Sequence, residues 1–297
     1  MKNNNSNSKL TIYSFLPLLA AIMWGFGFVA QVSGIESIPP IFYNAVRFIM
    51  AGLVLIPLTL FIEKKYTQTI KNTIRYGIFA GLFLCVASSI QQFGLVLTSS
   101  AAKGGFLTSL YAIFVSLGEF IFFKRKIKIN TWIAVFISVV GLFLIFIGSD
   151  TSSITLTITR GDLVLLLCAV AFACHIIFID KVIDKVRPIL FASTQFLTVG
   201  ILSLIYSLLF EDPTLSSIKN AYIPLLYGGL VSCAGGYTCQ VLSQKSKTPI
   251  LTGILFSTES MFALLGGAIL LNERLSSVAL IGCALILLSV ILSEIVQ

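Results

Sequence analysis

The chain has 297 residues, 57% of them hydrophobic and only 11% charged, with a net charge of +8 and a mean hydropathy of +1.00. Soluble globular domains carry about a quarter charged residues, so this composition excludes an ordinary soluble domain and makes a bilayer the solvent. The basic excess sits in the links between apolar stretches, which excludes a nucleic-acid-binding face and makes it a topology signal.

Crossing a hydrocarbon core of ~30 Å takes ~20 apolar residues at ~1.5 Å rise each. A polar tail, 1–11, precedes the first such stretch at 12–33. That stretch is longer than the ~7–15-residue core of a cleaved signal peptide, so helix one is expected to be retained. Further stretches follow at 40–62, 76–97, 103–123 and 131–148, and a Ser/Thr-rich linker occupies 149–160. Beyond it lie 161–180, 189–210, 222–243, 250–271 and 277–295. The expected fold is an all-α integral membrane protein with ten transmembrane helices. With the N-terminus inside, 15 Lys and Arg fall on cytoplasmic segments (Lys64-Lys65 and Lys124-Arg125-Lys126 among them) and 4 on outer ones, Arg47 lying within a helix. This bias places both termini in the cytoplasm of a cell (inner) membrane protein. The six cysteines, 85, 168, 174, 233, 239 and 283, fall within the expected helices and read as small packing residues.

Sliding the sequence by 148 positions exposes a duplication. Pro40 falls on Pro188, Phe48 on Phe196, Glu63 on Glu211, Cys85 on Cys233, Gln92 on Gln240 and Gly118 on Gly266. Over 12–147, 27 of 136 positions are identical, about 20%, where this composition alone gives roughly 8%. Each copy, 12–148 and 161–295, holds five expected helices. An odd number sends the second copy in from the opposite side, giving two inverted five-helix repeats. Inverted repeats with a site near the midplane are the architecture of many secondary transporters.

The shift pairs Trp24 with Phe172 and Tyr111 with Glu259, all near mid-helix. A carboxylate at the bilayer centre costs roughly 2.5–3.5 kcal/mol on insertion scales, so Glu259 is expected to face protein or a cavity. Arg47 lies roughly 6 Å outward of the middle of its helix at ~1.5 Å per residue. The three aromatic residues around one carboxylate suit an organic cation or an amino acid's ammonium group. The alternative is a structural Glu259–Arg47 ion pair with Trp24 and Tyr111 as packing. Gln91, Gln92 and Gln240 either bind substrate or hold helices together. His175, the sole histidine, reads as a wetted helix-end residue or, less simply, a relay. Gly77 and Gly81 mark a close helix contact, and Glu119 reads as a snorkelled helix end balanced by Lys124. Enzyme motifs such as HExxH, GxSxG and a Walker loop are absent, one histidine builds no multi-His metal site, and no cofactor is implied.

Trp24-Gly25, Arg47-Phe48, Glu259, Glu273-Arg274-Leu275-Ser276 and Gly282 together resemble the EamA-type branch of the drug/metabolite transporter superfamily, across residues 12–295. The resemblance implies a bacterial inner-membrane carrier, usually an exporter of amino acids, other metabolites or drugs. It also implies a cavity lined largely by helices one, three, four, six, eight and nine. The prolines the family carries in mid-helix four and after the helix-nine glutamate are replaced here by Tyr111-Ala112 and Ser260, which removes the sequence reason for a kink at either place. The first-half counterpart of Glu273 is Arg125. The sequence therefore reads as a gradient-driven transporter of a small molecule, exporting amino acids or related metabolites by alternating access. Multidrug or organic-cation export and metabolite uptake remain open, as do a coupled proton or other ion and a homodimer.

Overall fold

The computed structural model describes residues 4–63, 67–149 and 158–295. The Lys64-Lys65 pair and the linker positions 150–157 lie outside the described residues. Among the described residues there is no strand. The chain opens with α1 (Asn4–Ile35), α2 (Pro40–Ile62), α3 (Ile70–Thr98), α4 (Ala101–Ser109), α5 (Tyr111–Ile121) and α6 (Ile129–Ser149). It continues with α7 (Arg160–Val182), α8 (Pro188–Phe210), short α9 (Leu215–Asn220) and α10 (Tyr222–Leu226), a π-helical segment (Tyr227–Tyr237) and α11 (Thr238–Ser243). It closes with α12 (Pro249–Phe256), α13 (Glu259–Leu270) and α14 (Ser277–Ile295).

Among the described residues, eight helical stretches are long and apolar enough to cross a membrane. They are Phe15–Ile35, Pro40–Ile62, Ile70–Thr98, Ala101–Ile121, Ile129–Gly148, Arg160–Lys185, Pro188–Phe210 and Pro249–Leu270. The expected helix at 222–243 is built from α10, the π segment and α11, and the one at 277–295 has a shorter apolar run, Ser277–Ser293. Large apolar side chains such as Phe61, Phe122, Leu209 and Phe210 point outward. This is the inverse of a water-soluble surface and suits contact with lipid. The interior gathers Phe48, Tyr111, Phe172, Phe196, Tyr237 and Phe256.

Several expectations need correction. Helix α1 begins at Asn4, inside the expected polar tail, and α3 begins at Ile70 where the sequence suggested 76. Hydropathy marks where a helix is apolar, whereas the backbone continues through the polar turn. The kinks are present without proline: the α4–α5 stretch breaks at Leu110 and the α12–α13 stretch at Ser257-Thr258. At the second break the hydroxyls of Ser257, Thr258 and Ser260 each donate at 2.7 Å to the carbonyl three residues back. Ser260 N and Met261 N likewise reach only three residues back, to Ser257 O and Thr258 O. Hydroxyls that compete for ladder carbonyls bend helices, and here they do so in a cluster.

Helices α2 and α8 are joined at both ends. Pro40 and Pro188 open them, so the first helical position of each lacks an N–H that would otherwise need a partner. The next two N–H groups of α8, from Ile189 and Leu190, donate to the two oxygens of Glu63 at 2.7 and 3.1 Å. Those of α2, from Ile41 and Phe42, donate to the two oxygens of Glu211 at 2.9 and 2.8 Å. The next N–H of each makes the first bond of the helix ladder, Tyr43 to Pro39 and Phe191 to Arg187. The N-cap position of α2 is Pro39, without an N–H, and that of α8, Arg187, donates to Thr73 Oγ1 at 3.2 Å, so no donor of either helix start is left over. Glu273 repeats the device on α4, accepting from Ala101 N at 2.9 Å and Ala102 N at 3.2 Å.

Close approach governs one glycine next to the interior. A Cβ on Gly25 of α1 would collide with Phe262 Cβ and come within 2.7 Å of Glu259 O and 2.9 Å of Ala263 N. Rigid backbone of α13 cannot yield as a flexible side chain would. Gly25→Val is therefore expected to cost about 1–3 kcal/mol, the range of an overpacked core, or more. Thermal unfolding of the purified protein measures it, and an unchanged midpoint would contradict this contact.

Candidate functional site

Side chains from eight helices and the π segment enclose one central cavity. Helix α1 gives Trp24, Phe28 and Gln31, α2 gives Arg47, α3 gives Gln91, and α4–α5 give Thr108 and Tyr111. Helix α7 adds Phe172 and Ile176, the π segment Ser232 and Tyr237, α11 Gln240, and α13 Glu259 at its first residue. The space is tight, about 30 Å³ open to water-sized molecules. A water fits in roughly 10–15 Å³ on such a measure, so an amino acid enters only if the lining helices move apart.

The break between α12 and α13 puts Glu259 at the first residue of α13, where the helix dipole favours a carboxylate. Its Oε1 accepts from Ser109 Oγ at 3.1 Å, across from the break between α4 and α5. The two breaks therefore meet at the carboxylate. Tyr111 lies beside it, buried, and its hydroxyl has no partner at hydrogen-bonding geometry within the protein.

Arg47 is 2% exposed. Its Nε donates to Asn44 Oδ1 at 2.9 Å, and its guanidinium carbon sits 4.9 Å from the centre of the Phe48 ring and 5.5 Å from that of Tyr43. Aromatic faces stabilise a desolvated cation by about 2 kcal/mol or more. Its Nη2 has no hydrogen-bond partner in the protein. Among the described residues no ion pair joins Arg47 to Glu259, so the structural-pair alternative is not what this conformation shows.

The glutamines divide. Gln91 faces the cavity and donates to Thr108 Oγ1 at 3.4 Å. Gln240 lines it too, donates to Gln244 Oε1 at 3.3 Å, and leaves its own Oε1 without a partner. Gln92 stands behind the lining: its Nε2 donates to Gln31 Oε1 at 3.0 Å and Asn44 Oδ1 at 3.1 Å. It thus links the Arg47 support to a cavity residue. His175 is fully buried and pairs through Nε2 with Gln195 Oε1 at 3.0 Å, outside the lining. The expected wetted helix end is wrong, because α7 continues two turns past His175. Glu119 is also fully buried rather than snorkelled, and its partners are Arg125 at 3.3 Å and Lys181 at 3.2 Å, not Lys124.

Aromatic rings form the opposite wall. Trp24 meets Tyr237 and Phe256 at centroid distances of 4.8 and 4.9 Å, and its Nε1 donates to Ser232 O at 3.1 Å. Ser232 lies in the π segment, whose wider turn brings this carbonyl within reach of the indole; π segments recur at functional sites. Sequence reasoning missed Tyr237, Gln31, Thr108 and Ser109. Tyr237 had a readable signal, since it directly follows the glycine-rich run 228–236 that lets α1 and α2 approach.

The EamA-like transporter family profile matches the chain twice, over residues 11–147 and 159–295. An uncharacterized transporter of Bacillus subtilis, YoaV, is 26% identical over 272 residues, covering 89% of this chain and 90% of the relative. A probable amino-acid metabolite efflux pump of Salmonella typhimurium is 26% identical over 92% of this chain and 91% of its own. A crystal structure covering 96% of the chain superposes with a TM-score of 0.78 at 17% identity, a likeness of fold. The relatives named here are transporters, not enzymes.

Proposed function

Because the chain belongs to the EamA-like transporter family, we propose that it is a gradient-driven secondary transporter that exports amino acids or related small metabolites through the central cavity. The observation that carries this reading is the pair of buried polar atoms without protein partners around one space, Arg47 Nη2 and Gln240 Oε1, with the Tyr111 hydroxyl beside the Glu259 carboxylate. Each such atom costs about 1–3 kcal/mol when left unpaired, so the walls favour a polar guest. Arg47 suits a carboxylate, and Glu259 with Trp24, Tyr111 and Phe172 suits an ammonium group. The name of the Salmonella relative favours amino-acid metabolites over other cargo. An organic cation would engage the Glu259 side alone, so cation export without Arg47 dependence is the second reading. Counterflow of an amino-acid panel in proteoliposomes tests the proposal. Uptake of no zwitterion above protein-free vesicles overturns it.

The mechanism we favour is alternating access between two inverted five-helix repeats, with ten crossings once α10–α11 and α14 are included. The double family match and the reciprocal Glu63 and Glu211 contacts support it: the same carboxylate, 148 residues apart, seats the partner repeat's helix. In this arrangement the termini are cytoplasmic. Cysteines placed at Ser37 and Ser277 are then expected to react with an impermeant maleimide in intact cells, whereas cysteines at Gln68 and Asn130 react only after lysis. The reverse pattern would invert the topology.

A further inference from the structure

A second cavity lies at the start of α6, between the first turn of α12 and the end of α14. It has about 270 Å³ open to water-sized molecules, far roomier than the central one. Arg125, Lys126, Lys128 and Lys247 line it with the hydroxyl-bearing Thr131 and Ser246, and no described carboxylate faces it. Arg125 is partly engaged by Glu119 at 3.3 Å and Asp180 at 3.9 Å. Lys247 is nearly buried, 8% exposed, directly before the Thr248 cap of α12.

The repeat explains why this corner is cationic. At the other end of the molecule, Glu273 places its two oxygens on the first N–H groups of α4, Ala101 and Ala102. A shift of 148 residues turns Ala101 and Ala102 into Pro249 and Ile250, and Glu273 into Arg125. Where one repeat supplies an anion to the helix start, the other supplies a cation and a cavity. Pro249 has no N–H and Thr248 Oγ1 accepts that of Leu251, so the attraction for a phosphate oxygen comes from the clustered cationic side chains.

We propose that this cavity binds a phosphate group, either the phosphodiester of an anionic lipid headgroup or a free phosphate, held by its cationic side chains. In the topology given above it opens at the cytoplasmic leaflet, where basic pockets between helices meet anionic headgroups. The site is independent of the transported substrate.

The test is thermal unfolding of the whole protein in neutral-detergent micelles. Four conditions are compared at equal ionic strength: no addition, phosphatidylcholine, phosphatidylglycerol, and inorganic phosphate with a chloride control for screening. Phosphatidylglycerol is expected to raise the midpoint by several degrees in a saturable way, with no change from phosphatidylcholine. A full shift from inorganic phosphate alone supports the site and assigns its ligand as the soluble ion. Lys126→Gln with Lys128→Gln, both exposed positions, is expected to keep the unliganded midpoint and lose at least half of the anion shift. The proposal is overturned if neither anion shifts the wild-type protein, or if the double variant keeps the whole shift.

Discussion

Glu259→Gln is expected to leave insertion and folding intact while weakening aminated substrates roughly 10- to 100-fold, the effect of removing one charge-assisted hydrogen bond of about 1.5–3 kcal/mol. The amide keeps the size of the carboxylate and still accepts from Ser109 Oγ, which now donates at 3.1 Å. What it loses is the charge at the start of α13, where two helix breaks meet. Equilibrium binding and proteoliposome counterflow would show the loss in affinity with the unfolding midpoint held. If Glu259 instead carries a coupled proton, exchange survives in the variant and pH-driven net transport fails. Arg47 is not its partner in this structure, because it is held by Asn44, Phe48 and Tyr43. Adding Arg47→Gln is therefore expected to worsen transport. Recovery of wild-type transport in the double variant would restore the ion-pair reading and remove the functional one.

The second large effect concerns stability. Glu63→Ala is expected to lower unfolding free energy by about 3 kcal/mol, since it strips two N–H groups of a buried carboxylate partner where water offers little replacement. Glu63 is 1% exposed, and its bonds to Ile189 and Leu190 are 2.7 and 3.1 Å long. Glu211→Ala removes the equivalent pair at the opposite end of the same two helices. The two sites share no partner, so their losses should add within about 0.3–0.5 kcal/mol. Unfolding midpoints in micelles for the single and double variants measure this. A variant lacking Glu63 with an unchanged midpoint would show that the α2–α8 contact holds without its carboxylate ends.

Much of this molecule is legible in its sequence, and the limits have physical causes. Apolar length locates most helices, because a bilayer demands it of any segment that crosses. The 148-residue shift picks out Trp24, Phe172, Tyr111 and Glu259, and all four line the cavity. What the shift shows but does not interpret is Glu63 with Glu211: an identity says that both positions matter, not that each carboxylate reaches the far helix. The His175 and Glu119 readings failed for one reason. Distance along a helix from its apolar end measures depth only if the neighbouring helices end at the same level. Gln195 covers His175, while Arg125 and Lys181 bring countercharge to Glu119. Gln92 matches the second of its two readings, holding helices together, and the choice was open because periodicity cannot tell the side chain facing a cavity from the one bracing it. The π segment was illegible because a helix of one extra residue per turn has almost the same hydropathy profile.

The serine and threonine break at Ser257–Ser260 has a further consequence for energetics. A proline would fix the bend when the chain is made, because its nitrogen can never rejoin the ladder. Here Ser257, Thr258 and Ser260 all keep their N–H, and the hydroxyls merely occupy carbonyls that the ladder would otherwise use. The backbone N–H groups of Thr258, Ser260 and Met261 already bond three residues back, so the bend is set by bonds that can be remade and not by a donor that is missing. Glu259 is mounted on its far side, at the first residue of α13.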